Sequence, residues 1–424
     1  MRMTILAACL LASAPALAQT EVQTEAQTEA QTEAQTEVQE VPMPVPVIAT
    51  QDGLTQWISA FRPRALAAGI TEQTFISAMG DVRLDADVIE KDRNQGEFTR
   101  TIWDYLDRAV SDLRIANGQE MLAKHAGLLD RIEATYKVDR EVVLAVWGLE
   151  SSYGAFMGDK SAIASLATLA YDGRRAAFFE GELIAALRII EDGNVTAARM
   201  TGSWAGAMGH TQFMPTSYLR TAVDFTGDGK RDIWGDDPTD ALASTAAYLQ
   251  AAGWVFETPW GMEVMLPDGY DYDQSSEAVV KPVADWAALG VRLPGGGAVP
   301  DHGPARLILP AGHRGAAFLT FANFQAIEAY NPADAYVIGI GHLADRLKGG
   351  AAIQHAWPRE DRALQLAERI ELQALLTAAG FDAGGADGKV GPKTVAAVKA
   401  FQRARGLVPD GYANPALLEM LRAG

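Results

Sequence analysis

Val146-Trp147-Gly148-Leu149-Glu150-Ser151-Ser152-Tyr153-Gly154 reads as the end of a buried helix that stops at a carboxylate. Asp139 stands where an N-cap belongs, with a side chain able to accept from an unpaired helix amide. Val143, Val146, Trp147 and Glu150 then recur at helical spacing and share one face. Gly154 can take a positive φ without strain and so end the helix. The pattern puts one carboxylic acid on the apolar side of a helix, just before a turn. Desolvation there disfavours the charged form and is expected to raise the pKa of Glu150. An acid held protonated near neutral pH suits glycosidic-bond cleavage. The plainer alternative is a half-exposed glutamate at a helix end, since perturbed acids are enriched at active sites but not confined to them.

Outward from this stretch the chain has 424 residues, enough for two or three domains, and 48% of them are hydrophobic, enough for a sizeable core. A net charge of -18 argues against a nucleic-acid partner, whose phosphates it would repel, and against anionic lipid. Arg2, the apolar run Ile5 to Ala18 and the small-x-small Ala16-Leu17-Ala18 read as a signal peptide over residues 1–18, cleaved before Gln19, with export to the periplasm. Leu6-Ala7-Ala8-Cys9 has the form of a lipoprotein box. The residues after Cys9 stay apolar instead of becoming a polar tether, which speaks against a lipid anchor there. Cleavage after Ala18 leaves no cysteine, hence no disulfide or thiol chemistry.

Residues 19–50 read as a tether: a Thr-Glu-Val/Ala-Gln repeat from Thr20 to Gln39, then Pro42, Pro44 and Pro46. Such a segment cannot bury enough surface to fold alone. Residues 51–355 form the main folded region. Helical spacing at Trp57, Ile58 and Phe61, at Ile102–Val110, Leu183–Ile190, Ala241–Leu249 and Ala335–Leu347 makes it mainly α. Val264-Met265-Leu266, Leu307-Ile308-Leu309 and Phe318–Phe321 predict strands of a small β insertion. Residues 360–424 predict three short helices, with Leu364 to Leu376 on the first, Pro392 opening the second and turns at Asp387-Gly388 and Asp410-Gly411.

Three further stretches could carry chemistry. Ser203–Tyr218 has glycines and alanines that allow close backbone approach, with Ser203 and Gln212 as polar groups among residues suited to burial. It reads equally as a tight structural loop. Asp224-Phe225-Thr226-Gly227-Asp228-Gly229-Lys230 matches a calcium loop, with oxygens at positions one, three and five, glycine at six and a carbonyl at seven. Position twelve is Gly235, so Asp236, Asp237 or Asp240 would have to close the shell. An acidic surface turn is the alternative. Tyr330-Asn331-Pro332 sets an amide among tyrosines, whose flat rings suit sugar faces.

Together these motifs carry a resemblance. Trp147-Gly148-x-Glu150-x-x-Tyr153-Gly154, Ala205-Gly206-Ala207-Met208-Gly209-x-x-Gln212-Phe213-Met214-Pro215, Asp224-Phe225-x-Gly227-Asp228-Gly229 and Tyr330-Asn331 resemble, in order, the lytic murein transglycosylase B family over residues 51 to 350. Residues 360 to 424, with Phe401-Gln402 and their turn glycines, resemble a small peptidoglycan-binding domain. The resemblance implies a lysozyme-like helical core (mainly α, α+β) with a small β insertion and a three-helix C-terminal domain. It implies cleavage of the β-1,4 bond between N-acetylmuramic acid and N-acetylglucosamine without water, leaving a 1,6-anhydro end. Glu150 falls on the single acid/base. Ser203, Gln212, Tyr330, Asn331 and Tyr336 fall on the groove. Asp224, Thr226, Asp228, the Lys230 carbonyl and Asp240 fall on a structural Ca2+ site. No organic cofactor is expected. The expected partners are peptidoglycan glycan strands and other cell-wall enzymes, with the chain itself a monomer.

Two rival readings stay open. A hydrolytic muramidase would need a second carboxylate, for which Asp159, Asp172, Glu180 and Glu182 are candidates. A non-catalytic wall-binding protein would suit the tether and the C-terminal unit. A zinc peptidase does not fit, because the six histidines include no i, i+4 pair.

Overall fold

The computed structural model describes residues 49–93, 100–276 and 278–424. The chain divides between Ala49 and Thr50, and Thr50–Gly424 is one compact body. The expected signal peptide and nearly all of the expected tether lie outside the described residues.

Helices dominate, and hydroxyl caps start several of them. α1 (Gln51–Ala67) and α2 (Glu72–Met79) are N-capped by Thr50 and Thr71, whose side chains accept from Gly53 N and Thr74 N. α3 (Ala86–Arg93) follows. Trp57 stacks on Phe61 within α1, with centroids 5.0 Å apart, as the helical spacing required. α4 (Ile102–Ala109), α5 (Asp112–Lys124) and α6 (Ala126–Tyr136) lead to α7 (Arg140–Ser151), the helix of the opening stretch. Every residue of α7 from Val142 to Gly148 is buried, so the helix is surrounded on all sides and not merely on one face. Each fully buried Val or Leu there contributes about 1.5–3 kcal/mol.

Asp139 is the N-cap of α7 but makes no side-chain cap bond. Its carboxylate instead accepts from Trp254 Nε1 at 3.0 Å and Lys348 Nζ at 2.7 Å. The helix also ends sooner than Gly154. Ser152 is the left-handed cap at φ 50°, followed by Tyr153 at 60° and Gly154 at 85°. Three left-handed residues in a row turn the chain sharply away one residue after Glu150.

β1 (Lys160–Ser161), α8 (Ala162–Asp172), α9 (Ala176–Glu191) and β2 (Thr201–Gly202) come next, with β1 and β2 antiparallel. α10 (Pro215–Thr221) and α11 (Thr239–Ala251) complete the central helices. Two apolar cores result. One gathers α1, α2, α8 and α9 around Leu54, Phe61, Leu166 and Leu183. The other gathers α6, α7 and α11 around Ile132, Val143 and Leu249. α11 belongs to both, giving Ala241 to the first and Leu242 to the second, and Tyr330 packs against both.

The β insertion holds β3 (Gly261–Val264), α12 (Val283–Ala288), β4 (Arg306–Ile308) and β5 (Ala317–Thr320). Its order is β3-β5-β4, antiparallel throughout. The first strand starts three residues earlier than Val264, and Met265 makes only an isolated bridge to Arg292. The fully buried Trp286 anchors the insertion by donating to the Ala305 carbonyl at 3.0 Å. α13 (Ala322–Glu328) and α14 (Asp334–Leu347) return to the second core.

α15 (Leu366–Ala378), α16 (Pro392–Ala404) and α17 (Pro415–Ala423) form the C-terminal unit around Leu372, Leu376, Val398, Phe401, Leu417 and Leu418. Leu364 is buried in that core although it precedes α15. Two glutamines hold its turns in the same way. Gln373 accepts from Gly388 N and donates to Asp387, while Gln402 accepts from Gly411 N and donates to Asp410. The unit is docked onto the β insertion. Lys399 Nζ donates to the Tyr272 carbonyl at 2.7 Å, Asp410 accepts from His313 N at 2.9 Å, and Arg403 pairs with Asp273.

Candidate active site

α7 and α14 pack against each other antiparallel, because Asp139 at the start of α7 meets Lys348 after α14, and Glu150 at its end meets Tyr336 in the first turn of α14. The Tyr336 hydroxyl donates to Glu150 Oε1 at 2.6 Å. Glu150 is half-buried, whereas Tyr336 is 6% exposed. Burial, and then the charge of Glu150, push the Tyr336 phenol well above its ordinary pKa, so it stays a neutral donor.

Tyr330 lies nearly parallel to Tyr336, with centroids 6.4 Å apart at 11°. Its hydroxyl donates to the Thr211 carbonyl at 2.5 Å, and its ring meets Phe213 and Tyr248 at 5.8 and 4.9 Å. Burial and the charge of Glu150 raise its pKa as well. The tyrosines therefore connect the carboxylate to the glycine-rich loop.

In that loop Gln212 sits at φ 53° and donates Nε2 to the carbonyls of Met157 at 2.9 Å and Gly209 at 2.8 Å. It thereby ties the loop to the turn after α7. Ser203 Oγ accepts from Ala205 N at 3.3 Å and Ala207 N at 3.1 Å, holding the loop's own bend. Asn331 Oδ1 accepts from Ala333 N at 3.0 Å, which fixes the turn before α14. Glu150, Tyr336 and Tyr330 thus form one contact chain that reaches the residue before Gln212. Ser203 and Asn331 shape flanking turns.

Of the candidate second carboxylates, three have other partners. Glu182 accepts from Thr216 N at 2.9 Å and Thr216 Oγ1 at 2.7 Å, Glu180 pairs with Arg64 at 2.6 Å, and Asp172 pairs with Arg93 at 2.6 Å. Asp159 lies in the exposed turn before β1.

The acidic loop is a separate structure. Asp224 accepts from the amides of Gly227, Asp228 and Gly229 and from the Thr226 hydroxyl, and Asp228 Oδ1 accepts from Lys230 N at 2.9 Å. Amide bonding, first from Gly229, lowers the Asp224 pKa. Asp240 is 2% exposed and spends Oδ1 on Phe225 N and Thr226 N and Oδ2 on Asp232 N. Burial raises its pKa in spite of those three amides. Among the described residues no three His, Cys, Asp or Glu side chains close on one point as metal ligands. The oxygen donors of Asp224, Thr226, Asp228 and the Lys230 carbonyl are nevertheless of the hard class that calcium takes.

Sequence reasoning misses His210 and Ser151, although both stand within motifs that it marks. The histidines draw notice there only as zinc ligands, and Ser151 occupies an unspecified position beside the glutamate. The signal that points to His210 is a histidine set in a glycine-rich loop otherwise suited to burial.

A lysozyme-like helical body with a half-buried glutamate held by a tyrosine defines a class, and comparison supplies the family. Residues 53–345 of the 424 match the transglycosylase SLT domain family, and residues 365–421 match a peptidoglycan binding domain. The chain belongs to the transglycosylase SLT domain family. It is 52% identical to SltB3 from Pseudomonas aeruginosa, crystallised in complex with NAG-anhNAM-pentapeptide, with a TM-score of 0.85 over 87% of this chain and 99% of that one. It is 27% identical to the Escherichia coli lytic transglycosylase Slt35 in complex with calcium, with a TM-score of 0.57 over 71% of this chain and 94% of that one. It is also 32% identical over 248 residues to membrane-bound lytic murein transglycosylase B of Escherichia coli (strain K12). That match spans 56% of this chain and 65% of the relative's length.

Proposed function

We propose that the chain is a peptidoglycan lytic transglycosylase that cleaves the β-1,4 bond between N-acetylmuramic acid and N-acetylglucosamine without water. Glu150, protonated, gives its proton to the glycosidic oxygen as the C1–O bond breaks and N-acetylglucosamine leaves. The muramic acid's own 6-hydroxyl then attacks C1. Glu150, now a carboxylate, takes back the proton of that hydroxyl as the 1,6-anhydro ring closes. The proton count balances, and no water is consumed. The substrate's N-acetyl group stabilises the cationic carbon in place of a second carboxylate. Tyr336 steadies the carboxyl group through Oε1 while the proton passes. Ser203, Gln212, Tyr330 and Asn331 line the groove.

One observation carries this reading: Glu150 stands half-buried with a neutral tyrosine donor at 2.6 Å, while Glu180, Glu182 and Asp172 have partners elsewhere. Mass spectrometry of products from purified sacculi tests it. Wild type should give anhydro-muramic ends and Glu150→Gln essentially none. Reducing ends from the wild type would instead establish a hydrolase, and undiminished digestion by Glu150→Gln would leave a wall-binding protein with another catalyst.

A substrate of this kind places the protein in the periplasm, exported by the leader expected before Gln19. Among the described residues no helix is long and apolar enough to cross a membrane. The C-terminal unit is read as holding the enzyme on the wall, with a monomeric chain meeting other cell-wall enzymes there. Calcium, held by Asp224, Thr226, Asp228, the Lys230 carbonyl and Asp240, would brace the loop and take no part in bond cleavage. Calcium should raise the melting temperature of the wild type but not of Asp228→Ala. Equal melting with and without calcium would remove the ion from the scheme.

A further inference from the structure

His210 is 4% exposed and is shared by three segments of the chain. Trp147 Nε1 donates to its Nδ1 at 3.2 Å. An indole N–H can only donate, so Nδ1 carries no proton. The proton is then on Nε2, which donates to the Gly235 carbonyl at 2.7 Å. The two bonds select one neutral tautomer. Burial, which lowers the pKa of this imidazole, favours the same uncharged form.

The main chain of His210 adds two more ties. Its N–H donates to the Ile233 carbonyl at 3.0 Å, and its carbonyl accepts from Ser151 Oγ at 2.5 Å. Ser151 Oγ in turn accepts from Gly154 N at 2.9 Å. The imidazole lies so close to the turn after α7 that a Cβ at Gly154 would come within 2.7 Å of Nδ1. Trp147 lies three residues, close to one helical turn, before Glu150, and Ser151 follows Glu150 directly. The side chains on either side of the carboxylate therefore both end on His210. The imidazole also stands edge-to-face with the Trp147 ring, with centroids 5.7 Å apart, and His125 meets the same ring in a T-shaped contact at 5.6 Å.

We propose that His210 is a positioning residue for the proton-transfer step. It acts on Glu150 through Trp147 and Ser151 and locks the end of α7 to the groove loop and to the 233–235 segment. This rests on the reading of Glu150 as the acid and base. A carboxylate that must reach two oxygens in sequence tolerates little misplacement, and displacement by about 1 Å can cost about a hundredfold in rate.

The test uses the full chain with four substitutions. In His210→Asn the amide oxygen stands near the place of Nδ1 and can accept from Trp147. In His210→Gln the amide reaches the place of Nε2 and keeps only the Gly235 tie. His210→Phe keeps the ring and neither bond, and Trp147→Phe removes the donor. On purified glycan strands, kcat should fall by about tenfold or more in the Gln and Phe variants with KM within about threefold, and the Asn variant should recover to within about threefold of wild type. Trp147→Phe combined with His210→Gln should be no slower than the worse single variant, because both remove the same bond. A kcat near wild type in the Gln and Phe variants would overturn the proposal. So would an Asn variant as slow as the Phe variant with losses that follow melting temperature, which is what a purely structural residue gives. Glu150→Gln, assayed alongside, separates the two failures: if it stays active, the acid/base reading falls first.

Discussion

The antiparallel pair α7 and α14 carries acids at both of its ends, and the two ends treat them differently. At one end Glu150 is half-buried, and Tyr336 holds one of its oxygens. At the other, Asp139 is 7% exposed, with one oxygen on Trp254 Nε1 and the other on Lys348 Nζ. Beside it Asp345 accepts from Trp260 Nε1 at 2.9 Å. The same two helices thus offer an acid held by a neutral phenol and an acid paired with a cation. The difference lies in the partner. A phenol is a neutral donor, whereas an ammonium brings a full positive charge to its carboxylate. On the role proposed for Glu150, catalysis and stability can therefore be addressed separately by substitutions a few turns apart.

The largest effect is expected at the Glu150 end. Tyr336→Phe removes a hydrogen bond to a group that is charged for part of the cycle, which is worth about 2 kcal/mol, or about 30-fold in kcat. The ring and its stacking on Tyr330 remain, so the melting temperature should move little. Steady-state kinetics beside a thermal melt would check this. A fall in stability with unchanged kcat would reverse the assignment of the two ends.

At the Asp139 end the order of effects inverts. Lys348→Met leaves Asp139 with Trp254 alone and should cost about 2 kcal/mol of stability, less than a fully buried pair because the lysine is partly exposed. Denaturant unfolding measures the loss. Turnover at a temperature where both proteins are folded should stay close to wild type. A large kcat loss there would mean that strain travels the length of α7 to Glu150.

Much of this arrangement was legible in the sequence, and the illegible part has a common cause. Periodicity marked α7, α14 and the three C-terminal helices, because one apolar stripe is a local property. The glycine-rich loop and Glu150 stood out as residue types in a tight pattern. What periodicity cannot hold is a partner chosen across the chain. Asp139 looked like a helix cap because caps are local. Its actual partners lie 115 and 209 residues away. The docking of Lys399 on the Tyr272 carbonyl spans 127 residues and was equally invisible. His210 shows the same limit, since nothing near it in the sequence announces Trp147 or Gly235.

The smallest effect distinguishes the two acids of the Asp139 end. Burial pushes the Asp345 carboxyl up to about 6, against the pull of Trp260 and Lys348. An acid whose folded pKa lies above its unfolded value favours the folded state only while it is protonated. That contribution is full below the unfolded value near 4 and is lost as pH rises through about 6. Asn can still accept from Trp260 but carries no charge to bury. Asp345→Asn should therefore melt with the wild type at about pH 4 and be more stable by about 1 kcal/mol at pH 7 to 8, well under the upper limit set by the shift because local relaxation and water penetration ease the burial of the charge. Thermal melts across that range read the difference directly. A variant less stable than wild type at pH 8 would show that the Asp345 charge stabilises the fold and would reverse the sign expected here.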